Sequence, residues 1–146
     1  MSQDDAERSL GIADYPLAEK QPNWVRTASG KSLDDLTLAA VEAGEVNLTD
    51  LRITPQALRD QAQIARAAGR PTLASNFERA AELVDVPQHV LLEIYELLRP
   101  GRARDKTALL AAAATLRSQY GASHMADFLE EAAEVYERRG LFSYRF

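Results

Sequence analysis

The sequence predicts an all-α fold: a single compact helical domain of about six helices with an extended N-terminal arm. Three observations predict it. From Ser32 onward, segment after segment repeats apolar residues at the spacing of one helical face. Each segment is bracketed by residues that start or stop helices. No segment carries the two-residue alternation of a half-buried strand.

Residues 1–31 read as the arm and 32–146 as the helical domain. In the arm, Tyr15-Pro16-Leu17 and Gln21-Pro22-Asn23-Trp24 each place a proline where helix is disfavoured, and Thr27-Ala28-Ser29-Gly30 is rich in turn formers. A segment with a few large apolar residues and no helix of its own suits an arm laid across another surface.

Ser32 and Asp35 resemble a capping box opening a helix that runs to about Ala43 and stops at Gly44. Leu33, Leu36, Leu38, Ala40 and Val41 cover most of its circumference, so it is expected to be buried on several sides. Thr54-Pro55 combines an N-cap with proline at the first helical position, and the helix it opens should end near Ala68, before Gly69. The next begins about Pro71, with Leu73, Ala74, Phe77, Ala80, Ala81 and Val84 on one face. Val86-Pro87 ends it and opens another, striped by Val90, Leu91, Ile94, Leu97 and Leu98 and terminated by Pro100-Gly101. Asp105 is placed to cap a helix reaching Tyr120, with Leu109, Ala112, Ala113, Leu116 and Tyr120 on its stripe. Gly121 breaks the chain before a last helix over about Ser123 to Arg138, whose face is Met125, Phe128, Leu129, Ala132, Ala133 and Tyr136. The abundance of alanine on these faces implies close helix packing.

Composition limits the function. A length of 146 residues suits one domain. A net charge of −5 argues against non-specific binding to nucleic acid or anionic membrane. The absence of cysteine removes disulfides, thiolate metal sites and cysteine nucleophiles together. It suits a cytoplasmic location, and no apolar run reaches the roughly 20 residues of a membrane span.

Catalytic groups are sparse. Asp85, His89 and Glu93 have the i, i+4, i+8 spacing of a helical metal site. Pro87, however, places Asp85 in the turn before the helix, and His89 with Glu93 supplies only two ligands; a surface pair is the expected reading. His124 and Asp127 are expected in the first turn of the last helix without a catalytic role. Arg99, Arg102, Arg104 and Lys106 form a basic cluster, expected to be a solvated loop rather than a phosphate site. Glu130, Glu131, Glu134 and Glu137 lie off the apolar stripe and are read as a solvated face. No G-x-S-x-G, G-x-G-x-x-G or P-loop is present. The residues alone therefore favour an interaction subunit with no catalytic, cofactor-binding or metal residue of its own. The competing class is a free-standing helical adaptor.

A family resemblance sharpens this. Asp14-Tyr15-Pro16-Leu17-Ala18, Gly30-Lys31-Ser32-Leu33-Asp34-Asp35, Arg52-Ile53-Thr54-Pro55, Asn76-Phe77-Glu78-Arg79-Ala80-Ala81-Glu82-Leu83, Leu92-Glu93-Ile94-Tyr95 and Leu97-Leu98-Arg99-Pro100 follow one another in register. With Phe128, Glu131-Ala132-Ala133 and Val135-Tyr136, they resemble the small (gamma) subunit of adenosylcobalamin-dependent diol dehydratase and its glycerol dehydratase relative. Asp34-Asp35 and the stretch from Arg52 to Gly69 look more like the diol branch.

The resemblance implies a dimer of heterotrimers with large, medium and small subunits. Adenosylcobalamin lies between the large and medium subunits, and 1,2-propanediol becomes propionaldehyde, or glycerol becomes 3-hydroxypropionaldehyde, by a radical route. The small subunit is implied to support assembly by packing on the large one. Tyr15, Pro16, Leu17 and Trp24 of the arm are the residues expected at that interface. Some family members carry a longer N-terminal extension for packaging into a bacterial microcompartment. Here only about 13 acidic, weakly amphipathic residues precede Asp14, which argues against packaging through this subunit. The aromatic tail, Leu141 to Phe146, has no counterpart in the resemblance; a frayed terminus is expected, with docking on a partner as the alternative.

Overall fold

The structure, a computed structural model, describes residues 9–143. Among them the secondary structure is helical throughout. There are seven α-helices: α1 (Leu17–Lys20), α2 (Leu38–Glu42), α3 (Pro55–Ala67), α4 (Pro71–Leu83), α5 (Gln88–Leu98), α6 (Lys106–Tyr120) and α7 (Ser123–Arg139). Single 3-10 turns stand at Ile12–Asp14, Pro22–Trp24 and Leu33–Asp35. The all-α expectation holds, and the chain divides into two compact units, Met1–Ala81 and Glu82–Phe146.

In the first unit the segment expected as an extended arm is instead a succession of short helical turns. Pro16 opens α1 and Pro22 opens the following 3-10 turn, each at a position that needs no helical N–H. The Asp14 carboxylate reaches back to the Gly11 N–H at 2.9 Å and accepts the Gln21 side-chain amide at 2.8 Å, closing the turn before Tyr15. The Tyr15–Pro16 peptide is cis. Leu10 and Leu17 are buried against Ile64 of α3, with Trp24 and Val25 packed alongside. Burial of each such aliphatic side chain contributes about 2 kcal/mol, so the arm residues find their apolar partner within their own unit.

A second local difference concerns the helix expected from Ser32 to Ala43. Ser32 and Asp35 do form their reciprocal capping contacts, but only around one 3-10 turn. Thr37 then adopts an extended conformation, and its hydroxyl accepts the Ala40 N–H at 3.1 Å. A threonine satisfied in this way starts a new helix rather than continuing an old one. The resulting α2 buries no residue: Leu38 is 74% exposed, contrary to the expectation of burial on several sides.

The helices α3 and α4 meet through Ala62, Ala65 and Ala74, with Phe77 beside them. Thr54 caps α3 by accepting the Ala57 N–H at 3.1 Å, as its sequence signal predicts.

The second unit is built on α6 and α7, an αα-hairpin turned by Gly121 at φ 64°. Leu109, Leu116 and Leu129 are fully buried between them, together with Ala113, Ala122, Ala126 and Ala133. The small side chains let the helices approach closely while the leucines fill the remaining space. Ile94 of α5 and Val86 complete this core. Asp105 caps α6 through the Thr107 N–H at 2.8 Å.

Candidate functional site

Tyr15 and Pro16 lie on the surface of the first unit, with Tyr15 60% exposed. Leu17 is buried and Trp24 half-buried in the cluster around Ile64. The four residues thus split into an outward pair and an inward pair. Tyr15 and Ile12 form one wall of a groove of about 410 Å³. Ile64, Ala65 and Ala68 from α3 line it as well, as do Leu73 and Phe77 from α4. Arg70, between the two helices, and Gln61 supply its polar edge. Leu73 and Phe77 were legible as a helical face, and Tyr15 as an exposed aromatic. Arg70 was overlooked; its only signal is a cation set between Gly69 and Pro71 where the chain must turn.

One buried carboxylate fixes the end of the arm. Asp50, 4% exposed, accepts hydrogen bonds from the Thr27 hydroxyl at 3.0 Å, the Ser29 hydroxyl, and the Asn47 N–H at 3.2 Å. Lys31 Nζ lies 3.4 Å away. These donors, the Ser29 hydroxyl foremost, lower the Asp50 pKa to about 2. Gly30, at φ 87°, allows the tight turn that brings Thr27, Ser29 and Lys31 to one carboxylate. The group is fully engaged by the protein itself, which makes it a structural clasp rather than an acid–base catalyst.

The second unit places the remaining candidates apart. His89 and Glu93 are exposed on α5, and Asp85 precedes the helix. No group of three or more metal-ligating side chains is assembled among the described residues. His124 Nδ1 lies 2.6 Å from Glu82 Oε1. Glu82 also accepts the backbone N–H groups of His124 at 3.0 Å and Met125 at 2.9 Å. Asp127 and Glu130 pair with Arg117 of α6 at 2.6 and 3.2 Å.

The basic cluster is a solvated loop engaged with carboxylates. Arg99 lies 2.9 Å and Arg102 3.7 Å from Glu96, and Lys106 lies 2.8 Å from Glu137. Contrary to the expected fraying, Leu141 and Phe142 are held in place. The Gly101 N–H bonds to the Leu141 carbonyl at 2.9 Å, and the Phe142 ring packs tilted on Tyr136 at 5.9 Å. The rest of that tail, Tyr144 to Phe146, lies outside the described residues.

The described surface thus offers grooves with apolar lining and exposed aliphatic side chains, and several of its acidic groups, among them Asp50, Glu82, Asp127 and Glu130, are engaged with side chains or backbone of the protein itself. No described helix is long and apolar enough to cross a membrane. Comparison with known proteins agrees with a subunit of this kind. A family model described as dehydratase small subunit matches residues 10–143. The propanediol dehydratase small subunit of Salmonella typhimurium is 53% identical over 132 residues, covering 90% of this chain and 76% of that one. The propanediol dehydratase small subunit of Citrobacter freundii is 52% identical over 128 residues, covering 88% and 74%. With a family match across nearly its whole length and two relatives above half identity, this chain belongs to the dehydratase small-subunit family.

Proposed function

We propose that this chain is the non-catalytic small subunit of a propanediol dehydratase, and that it supports assembly by packing on the large subunit. The observation that carries the reading is the 53% identity to a propanediol dehydratase small subunit over 90% of the chain. The arrangement of side chains supports it: Asp50 with its four donors and Glu82 with His124 are engaged in holding the fold.

In the proposed holoenzyme, large, medium and small subunits form a dimer of heterotrimers. The substrate is 1,2-propanediol, with glycerol as a second. Adenosylcobalamin, bound by the large and medium subunits, supplies the radical chemistry. The corrinoid is assigned to those partners and not to this chain. Three open grooves among the described residues measure about 280–410 Å³, the size of a site for a drug-sized ligand rather than a cobalamin. Neither histidine lines one of them. What the chain contributes is surface. The outward pair Tyr15 and Pro16 meets the large subunit, and Trp24, half-buried in the cluster around Ile64 with the buried Leu17, borders that contact.

The test is co-expression of the tagged chain with dehydratase large and medium subunits. The purified material is then assayed for adenosylcobalamin-dependent aldehyde formation from 1,2-propanediol and from glycerol. A stable complex, active with this chain and weak without it, is the expected result. Full activity of the other two subunits alone, with no association, would return the chain to the adaptor class. Trp24→Ala is expected to weaken the association.

A further inference from the structure

The groove between α3, α4 and the turn at Ile12–Tyr15 differs from two other grooves of this chain, one lined in part by Glu131 and one by Asp34, Asp35 and Glu45. The chain carries 22 acidic residues against 17 basic ones, yet among the described residues no carboxylate lines this groove. Among the described residues its one charged group is Arg70, and α3 adds the Gln61 amide. Around them stand apolar side chains left in water: Ile12 is 63% exposed, Tyr15 60% and Leu73 37%. Among the described residues Arg70 forms no ion pair, whereas Arg66, one turn away on α3, is bridged to Glu78 at 2.8 Å. An apolar trough with a single guanidinium at its edge is complementary to an apolar side chain with a carboxylate beside it.

We propose that this groove receives a segment of the large subunit that presents an apolar side chain next to a carboxylate, with Arg70 taking the carboxylate and Tyr15 closing over the apolar group. The inference rests on the small-subunit reading above and names the chemistry of the partner at that site. Charge complementarity selects a segment of this composition over a purely aliphatic one, which would leave the guanidinium desolvated without a counter-charge.

The test uses the full-length chain with purified large and medium subunits. Arg70→Glu reverses the charge, and Ala68→Trp fills the trough from an exposed position. Arg104→Glu, in the other unit, serves as a charge-matched control. Circular dichroism melting of each isolated variant separates misfolding from lost contact. Arg70→Glu and Ala68→Trp are each expected to weaken association at least roughly tenfold with melting unchanged. Arg104→Glu is expected to bind like wild type. The affinity of wild type is expected to fall with salt more steeply than that of Arg70→Ala. A photo-cross-linker at position 73 should capture a large-subunit peptide containing Asp or Glu. Wild-type affinity in both groove variants, or capture of the medium subunit or of a second copy of this chain, overturns the proposal while leaving the subunit assignment standing. Failure of the wild-type chain to associate at all overturns the subunit assignment itself.

Discussion

Glu82, in the last turn of α4, caps α7 by accepting the N–H groups of His124 and Met125 on its two carboxylate oxygens, at 3.0 and 2.9 Å. The residue at the N-cap position itself, Ala122, has no side chain that could do so. The carboxylate also places a negative charge at the positive end of the α7 dipole. Replacing Glu82 with Ala leaves two donors to water and removes that charge. It is expected to lower stability by about 0.5–2 kcal/mol, in the range of a lost N-cap. Urea unfolding should show a lower midpoint with an unchanged slope. Glu82→Gln, which keeps an acceptor, should cost less. Equal stability of Glu82→Ala and wild type would mean that solvent caps α7 just as well.

Such a cap also marks the limit of what the sequence makes legible. Thr54 and Asp105 were readable as caps because each donor sits within three residues of its acceptor. Glu82 and His124 are 42 residues apart, and nothing local links them. The same distinction explains the arm. Its prolines announce breaks in helix, but the burial of Leu10 and Leu17 depends on Ile64, more than 40 residues downstream. At α2 the apolar pattern was legible and misleading: Thr37 satisfies a local backbone donor and splits the helix, and Leu38 then points to water. Of the groove, Tyr15, Leu73 and Phe77 could be read as apolar surface or face, but their convergence on Arg70 is a property of the tertiary structure.

The Asp50 clasp gives a pH dependence with a definite sign. Its folded pKa is lowered from the ordinary 3.8 to about 2, chiefly by the Ser29 hydroxyl and then the Asn47 N–H. A depressed carboxylate stabilises the fold above its unfolded pKa, and that contribution is lost as pH falls through the folded value. Stability is therefore expected to decline between about pH 4 and about pH 2. Asp50→Asn should have a lower urea midpoint at neutral pH and a flatter profile across that window. A parallel acid profile in the variant would place the dependence elsewhere.

Burial and exposure in the two units predict opposite outcomes for chemically identical changes. Leu129 is fully buried between α6 and α7, whereas Leu48 is 81% exposed. Leu129→Ala is expected to cost about 2–5 kcal/mol, because the tightly packed alanines around it limit collapse of the cavity. Leu48→Ala should change the stability of the isolated chain by less than about 0.5 kcal/mol. Equilibrium unfolding of the two variants in parallel gives the comparison.

The turn between α6 and α7 depends on one backbone conformation. Gly121 stands at φ 64°, and a Cβ added there would meet no other atom within 4 Å. Any cost of Gly121→Ala is therefore conformational rather than steric contact with neighbours. It is expected to be about 1–2 kcal/mol, with the core packing unchanged. A larger loss, accompanied by altered near-ultraviolet dichroism, would mean that the hairpin itself had rearranged.

The arm separates stability from binding in two neighbouring residues. Leu17 is 5% exposed and packs on Ile64, while Tyr15 is 60% exposed. Leu17→Ala is expected to destabilise the first unit by about 2–5 kcal/mol, the usual range for a buried leucine. Tyr15→Ala should leave thermal melting of the isolated chain unchanged and weaken association with the large subunit by more than about 1 kcal/mol, as truncation of an interface aromatic does. Titration calorimetry with the large subunit measures the second effect, and urea unfolding of the free chain measures the first. If Tyr15→Ala bound as tightly as wild type, the outward pair would not be the contact, and the exposed aliphatic surface of α2 would become the stronger candidate.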